Sequence, residues 1–222
     1  MRLLHPRHAG AALLAGALLA VALPTILLPG RPAAGAPAVL RTLDRRAIPL
    51  LVARGATMTR YGTGVVVGPS TILTARHVVG GAMEVRLLRG GAVGATVVCR
   101  MREEDLAVLR ARLPKGTPYY GLSSRIPRVG DRVRVGGYPG RRWTTATGRV
   151  THVISSAVLG GRRVRSPMIV FTPALHQGAS GSPVLNSRGE VAGIFVASNR
   201  RENYSIAFPA ATVLRACRGA LR

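Results

Sequence analysis

The sequence predicts an all-β domain, a barrel or a sandwich. Two observations carry this: short apolar or alternating runs recur along the chain, and Gly, Pro and Ser turns separate them. In order, the candidate strands are 48–52, 64–67, 71–74, 83–88, 95–100 and 106–109. A turn-rich connection follows over 113–130. Beyond it lie candidate strands 132–136, 149–154, 168–172, 190–196 and 204–208. Arg132-Val133-Arg134-Val135 alternates strictly, as a half-exposed strand should. Pro209 to Arg218 then reads as a helix with Val213, Leu214 and Cys217 on one face and Gly219 as its stop.

The first residues form a separate segment. Arg2, His5, Arg7 and His8 precede an apolar run from Ala9 to Leu28, broken at Gly10, Gly16, Pro24 and Thr25. A basic start followed by an apolar stretch marks a secretory signal or a membrane anchor, and the run is long enough for either. Small residues follow, and Ala36-Pro37-Ala38 offers a cleavage site. Residues 1–38 are therefore expected to be a signal peptide or hydrophobic anchor helix plus linker, which places residues 39–222 outside the cytoplasm or on the outer face of the cytoplasmic membrane. What remains is enough chain for one compact unit with a sizeable core.

The chemistry centres on Gly178-Ala179-Ser180-Gly181-Ser182-Pro183, between the apolar runs Met168–Phe171 and Val191–Val196. Glycines two before and one after Ser180 permit positive φ and close approach of another backbone. A serine held this way presents its hydroxyl beside converging amide hydrogens, as a nucleophile with an oxyanion hole requires. Alone, the stretch reads equally well as a turn between strands. Two blocks elsewhere give it meaning. Thr71-Ile72-Leu73-Thr74-Ala75-Arg76-His77 is a strand ending in a histidine, and Asp105-Leu106-Ala107-Val108-Leu109 is a carboxylate leading into an apolar run. A serine hydroxyl needs an imidazole to take its proton and a carboxylate to orient that imidazole.

In this order, the blocks resemble the trypsin-like (chymotrypsin-fold) serine proteases, and among them the bacterial HtrA-type and glutamyl-endopeptidase-like branches. Thr74 to His77 matches the family's Thr-Ala-x-His, Asp105 to Leu109 its Asp-Leu-Ala-Val-Leu, and Gly178 to Pro183 its Gly-x-Ser-Gly-Gly/Ser-Pro. Gly130-Asp131-Arg132-Val133 and Gly137-Tyr138-Pro139 match a further block. The likeness covers roughly residues 45 to 215. It implies two six-stranded antiparallel β-barrels, about 39–116 and 117–208, a C-terminal helix over about 209–218, and a catalytic crevice at the barrels' junction. It implies a serine endopeptidase acting on proteins or peptides, with His77, Asp105 and Ser180 catalytic and the amides of Gly178 and Ser180 as oxyanion hole. No cofactor or metal is expected, since no Cys/His cluster has ligand spacing. A PDZ-type domain of the kind HtrA-type enzymes often carry is not expected in this stretch of chain.

Departures from the family pattern narrow the rest. Ala179 stands where trypsin-type zymogens place an aspartate, so that activation switch is not expected. Phe195 stands where glutamyl endopeptidases place a histidine, and Ala174 where enzymes cleaving after Arg or Lys place an aspartate. A specificity pocket bordered by Ala174, Leu175, Phe195, Val196 and Ala197 would take small or medium apolar side chains. An alternative reading is a catalytically silent protein that keeps the fold as a binding scaffold at the anionic cell envelope.

Two features remain. Cys99 and Cys217 can form a disulfide in an exported protein, or pack as free thiols; the disulfide is favoured. Basic residues number 32 against 8 acidic ones, a net charge of +24, and all but Lys115 are arginine. The excess suits contact with an anionic membrane or cell-wall polymer. Nucleic acid is disfavoured, because no recognition motif accompanies the arginines and aromatics are scarce. Oligomeric state is not legible.

Overall fold

The computed structural model describes residues 43–45, 48–82, 84–88 and 92–221. The expected N-terminal signal or anchor segment lies outside the described residues. The described residues form fifteen strands: β1 (Leu50–Arg54), β2 (Thr59–Thr63), β3 (Val65–Gly68), β4 (Thr71–Ala75), β5 (Glu84–Leu88), β6 (Ala92–Met101), β7 (Leu106–Ala111), β8 (Arg132–Gly137), β9 (Thr144–Ile154), β10 (Ala157–Leu159), β11 (Arg162–Val164), β12 (Met168–Phe171), β13 (Pro183–Leu185), β14 (Val191–Asn199) and β15 (Tyr204–Pro209). Helices are short: α1 (Arg76–Val79) follows β4, and α2 (Ala210–Ala216) follows β15.

The second β unit is the expected six-stranded barrel, closed in the order β12-β15-β14-β13-β8-β9 with antiparallel pairing throughout. The first unit differs from expectation. It is an open seven-stranded sheet, β2-β1-β5-β6-β7-β4-β3, not a closed six-stranded barrel. Its two edge strands, β2 and β3, are consecutive in the chain and separated by Gly64 alone. A Cβ on Gly64 would lie 2.9 Å from Ile72 Cγ2 and 3.3 Å from Leu51 Cδ1, so the backbone bends there against packed side chains. The two halves then pair with different neighbours, β2 with β1 and β3 with β4.

Burial explains why several strands read as unbroken apolar runs. Ile169 and Phe171 of β12 point into the barrel with Val133, Val184 and Phe195. Met168 of the same strand joins the larger core, with Leu51, Ile72, Leu109 and Phe208. A strand covered on both faces has no polar face to alternate. Helix α2 buries Ala210, Ala211, Thr212 and Val213. It is shorter than expected, because Cys217 leaves helical geometry (φ −119°, ψ 28°). A 3₁₀ turn over Arg218–Leu221 carries the chain through Gly219 instead of stopping there. Cys217 is disulfide-bonded to Cys99 of β6, tying the C-terminal helix to the first sheet across 118 residues of sequence.

The two sheets meet at Thr63, which is fully buried. Its amide donates to the Ser180 carbonyl (2.8 Å) and its hydroxyl donates to the Gly178 carbonyl (3.2 Å). The same hydroxyl accepts the Tyr138 amide (3.0 Å), and the Thr74 hydroxyl donates to the Thr63 carbonyl (2.7 Å). One residue of the first sheet thus holds two segments of the barrel half.

Two expectations follow from these ties. Thr63→Val removes a hydroxyl of nearly the same size and leaves the Gly178 carbonyl and Tyr138 amide unpaired in a dry site. That costs about 2–4 kcal/mol, while Thr63→Ser keeps both bonds and costs about 1 kcal/mol; urea unfolding of the two variants measures the difference. Breaking the Cys99–Cys217 bond frees a long loop in the unfolded chain and costs about 4 kcal/mol. Melting with and without reductant should differ by about 10 °C, and equal melting temperatures would refute the tie.

Candidate active site

Strand β4 delivers His77. The strand ends at Ala75, one helical turn follows, and Val78 and Val79 are buried beneath it as anchors. His77 is left with a side chain 44% exposed. Asp105 lies in the turn between β6 and β7 at φ 54°, a left-handed conformation that aspartate tolerates better than most residues. Its backbone and side chain both reach the histidine segment. The Arg76 amide donates to the Asp105 carbonyl (2.6 Å), and the His77 amide donates to Asp105 Oδ1 (3.0 Å). His77 Nδ1 is 2.5 Å from Asp105 Oδ2. A carboxylate only accepts, so the hydrogen belongs on Nδ1 and Nε2 is left as the ring's acceptor. The Arg76 guanidinium Nε lies 3.5 Å from Oδ1 and adds a positive charge behind the pair.

Ser180 sits in a turn whose shape two glycines set. Gly178 (φ 95°) and Gly181 (φ 91°) adopt left-handed conformations. A Cβ on Gly178 would lie 2.7 Å from the Tyr138 carbonyl oxygen, and one on Gly181 would lie 1.9 Å from that of Thr63. No other residue fits either place. Ala179 is buried in the barrel core with Val184 and Phe195 and anchors the turn there.

The amides of this turn divide into two sets. Those of Ala179, Gly181 and Ser182 donate to the carbonyls of His176, Phe195 and Ala179 respectively. Those of Gly178 and Ser180 donate to no partner among the described residues. The Gly140 amide donates to the Gln177 carbonyl (3.0 Å). In a trans peptide the N–H points opposite to the C=O, so this bond aims the Gly178 N–H away from Gly140.

His77, Gly178 and Ser180 line one cleft of about 880 Å³. Asp105 stands behind the imidazole instead of lining it. No hydrogen bond joins the Ser180 and His77 side chains in this structure, a common state for such groups before substrate binds. None of the five residues expected to border a specificity pocket is among those lining this cleft. Phe195 and Val196 are buried at 3% and 7% exposure. Leu175 packs against the barrel core, with its amide held by the Ser205 hydroxyl (3.0 Å) and its carbonyl by the Ser198 hydroxyl (2.8 Å). The Ala174 amide donates to Asn203 Oδ1 (3.0 Å), and Ala197 is partly buried against the larger core. The walls come instead from Arg60 and Tyr61 of β2, from Gly140 and Arg141, from His176 and Gln177, and from Arg200. Sequence reasoning assigned none of these to the site. No local signal singles out three exposed arginines in a chain so rich in them.

Known proteins agree with this architecture. Residues 62–194 match the trypsin-like peptidase domain. The chain is 29% identical to a glutamyl endopeptidase of Staphylococcus epidermidis, over 60% of this chain and 52% of that protein. It is 31% identical to serine protease Rv3671c of Mycobacterium tuberculosis, over 60% of this chain and 35% of that protein. It therefore spans about half the length of the first and about a third of the second. The crystal structure of the active form of the Rv3671c protease superposes with a TM-score of 0.70 at 25% identity, covering 87% of this chain and 91% of that one. The HtrA-type protease AlgW with tripeptide gives 0.71 at 27% identity, covering 84% and 63%. Matched over more than half its length, the chain belongs to the family of trypsin-like peptidase domains.

Proposed function

We propose that this protein is a serine endopeptidase that cuts peptide bonds through Ser180, His77 and Asp105. The observation that carries the reading is the pair of unpartnered amides, Gly178 and Ser180, beside a serine hydroxyl and an imidazole lining the same cleft. Ser180 Oγ attacks the scissile carbonyl as His77 Nε2 takes its proton. Asp105 holds Nδ1–H and stabilises the imidazolium as it forms. The two amides receive the oxyanion, whose charge they stabilise without reorganising. His77 then delivers the proton to the leaving amine, and water repeats the sequence on the acyl-enzyme.

The proposal extends to place. Residues 1–38 act as signal or anchor, and residues 39–222 work as the peptidase domain outside the cytoplasm. The Cys99–Cys217 disulfide supports an oxidising compartment. The arginine-rich surface suits retention at an anionic membrane or wall.

A fluorophosphonate probe tests the chemistry without knowledge of the substrate. Wild type should label at Ser180 and Ser180→Ala should not. Asp105→Asn should label about 10⁴-fold more slowly, because the ring loses its fixed tautomer. Label retained in Ser180→Ala would contradict the assignment.

A further inference from the structure

The cleft's electrostatics were invisible in the chain and are one-sided in three dimensions. Arg60, Arg141 and Arg200 all line it, together with His176. None of the chain's 8 acidic residues does. Asp44 stands beside Tyr120, and the other seven are engaged or placed elsewhere. Asp105 faces His77, Glu84 faces Arg54 and Arg86, and Glu190 faces Arg188. Glu103 accepts the Arg165 amide, Glu104 accepts the Ser166 hydroxyl, and Asp131 accepts the Arg128 amide. Glu202 lines a different cleft, beside Tyr204 and His152.

The three cleft arginines have no ion pair among the described residues. Arg60 donates to the Gly80 carbonyl, which holds its guanidinium in place without neutralising it. Arg141 lies over the Tyr61 ring at 5.1 Å from the centroid, on a backbone held at φ 66°. Arg200 follows β14, on a segment far from the other two in sequence. The cations therefore come from three separate elements and meet only around Ser180. Arg60, Arg141 and Arg200 are exposed and form the cleft's rim, whereas Phe195, whose backbone pairs with Gly181 and Ser182, is apolar and buried.

A concave site lined by one sign of charge concentrates ligands of the other sign. Resting on the endopeptidase reading, we infer that the preferred substrates are peptide segments with Asp or Glu flanking the scissile bond, held by Arg60, Arg141 and Arg200. The rim arginines act at different substrate positions, because they stand on different elements. The residue directly before the cut meets the apolar base and carries no such preference.

The test is cleavage of a proteome-derived peptide library, with sites read by mass spectrometry at low and high salt, alongside fluorophosphonate labelling of every variant. Acidic side chains should be enriched at flanking positions, and the enrichment should shrink as salt rises. Arg141→Gln and Arg200→Gln should each lower it by about threefold, the scale of an exposed ion pair, and at different positions. Arg163→Gln, on the exposed β10–β11 hairpin, changes net charge equally and should leave the profile unchanged. Labelling of Ser180 without acidic enrichment overturns this inference alone. So does an Arg163→Gln profile that shifts as far as those of the cleft variants. Absence of both labelling and cleavage overturns the endopeptidase reading, and the inference with it.

Discussion

The backbone hydrogen bond from the Thr63 amide to the Ser180 carbonyl, 2.8 Å long, is the constraint on which the site depends. His77 and Asp105 belong to the first sheet and Ser180 to the turn before β13 of the barrel, so their alignment is only as good as the contact between the two halves. Thr63 makes that contact with its amide and its hydroxyl, while its carbonyl is held by the Thr74 hydroxyl of its own sheet. Packing enforces it. Gly181 presses on the Thr63 carbonyl so closely that no side chain can be added there. A buried polar residue with every group satisfied fixes a single geometry in a way apolar contact does not.

Within that frame, each proposed catalytic group is positioned by backbone as well as side chain. Asp105 grips the backbone amide of the residue whose ring it also holds, so the carboxylate that orients the imidazole is itself fixed against the same segment. Three amides of the nucleophile turn are consumed, two by the carbonyls of His176 and Ala179 and one by the Phe195 carbonyl of β14, and two have no partner among the described residues. Donors fixed before the reaction cost nothing to orient during it, which is where most of such a site's catalytic power resides. The peptidase reading draws its strength from this division of hydrogen bonds, which a merely structural turn has no reason to make.

What was legible in the chain follows from burial. Strands β4, β7, β12, β14 and β15 stood out because they are covered on one or both faces and carry dense apolar runs. Strand β2 did not, since Thr59, Arg60 and Tyr61 are exposed, and β13 is only three residues long behind a proline. The first half of β9 is a polar Thr-rich stretch with the same defect. The β10–β11 hairpin did leave a signal that went unread: Gly160 and Gly161 both have positive φ, as the tight turn between such strands requires. The site's core was legible because glycine, serine, histidine and aspartate blocks are constrained by local geometry. Its rim was not. Which exposed arginines converge on a cleft is decided by long-range folding and not by local pattern.

The central claim is that a hydroxyl, an imidazole and a carboxylate from two halves of the chain act as one unit. The most direct measurement is a double-mutant cycle in peptide hydrolysis, comparing His77→Ala, Ser180→Ala and the pair. Groups that act together lose their function together, so the double variant should be no slower than either single one. Losses that multiply, with each single variant keeping a share of the activity, would show that the two residues work independently and would contradict the account.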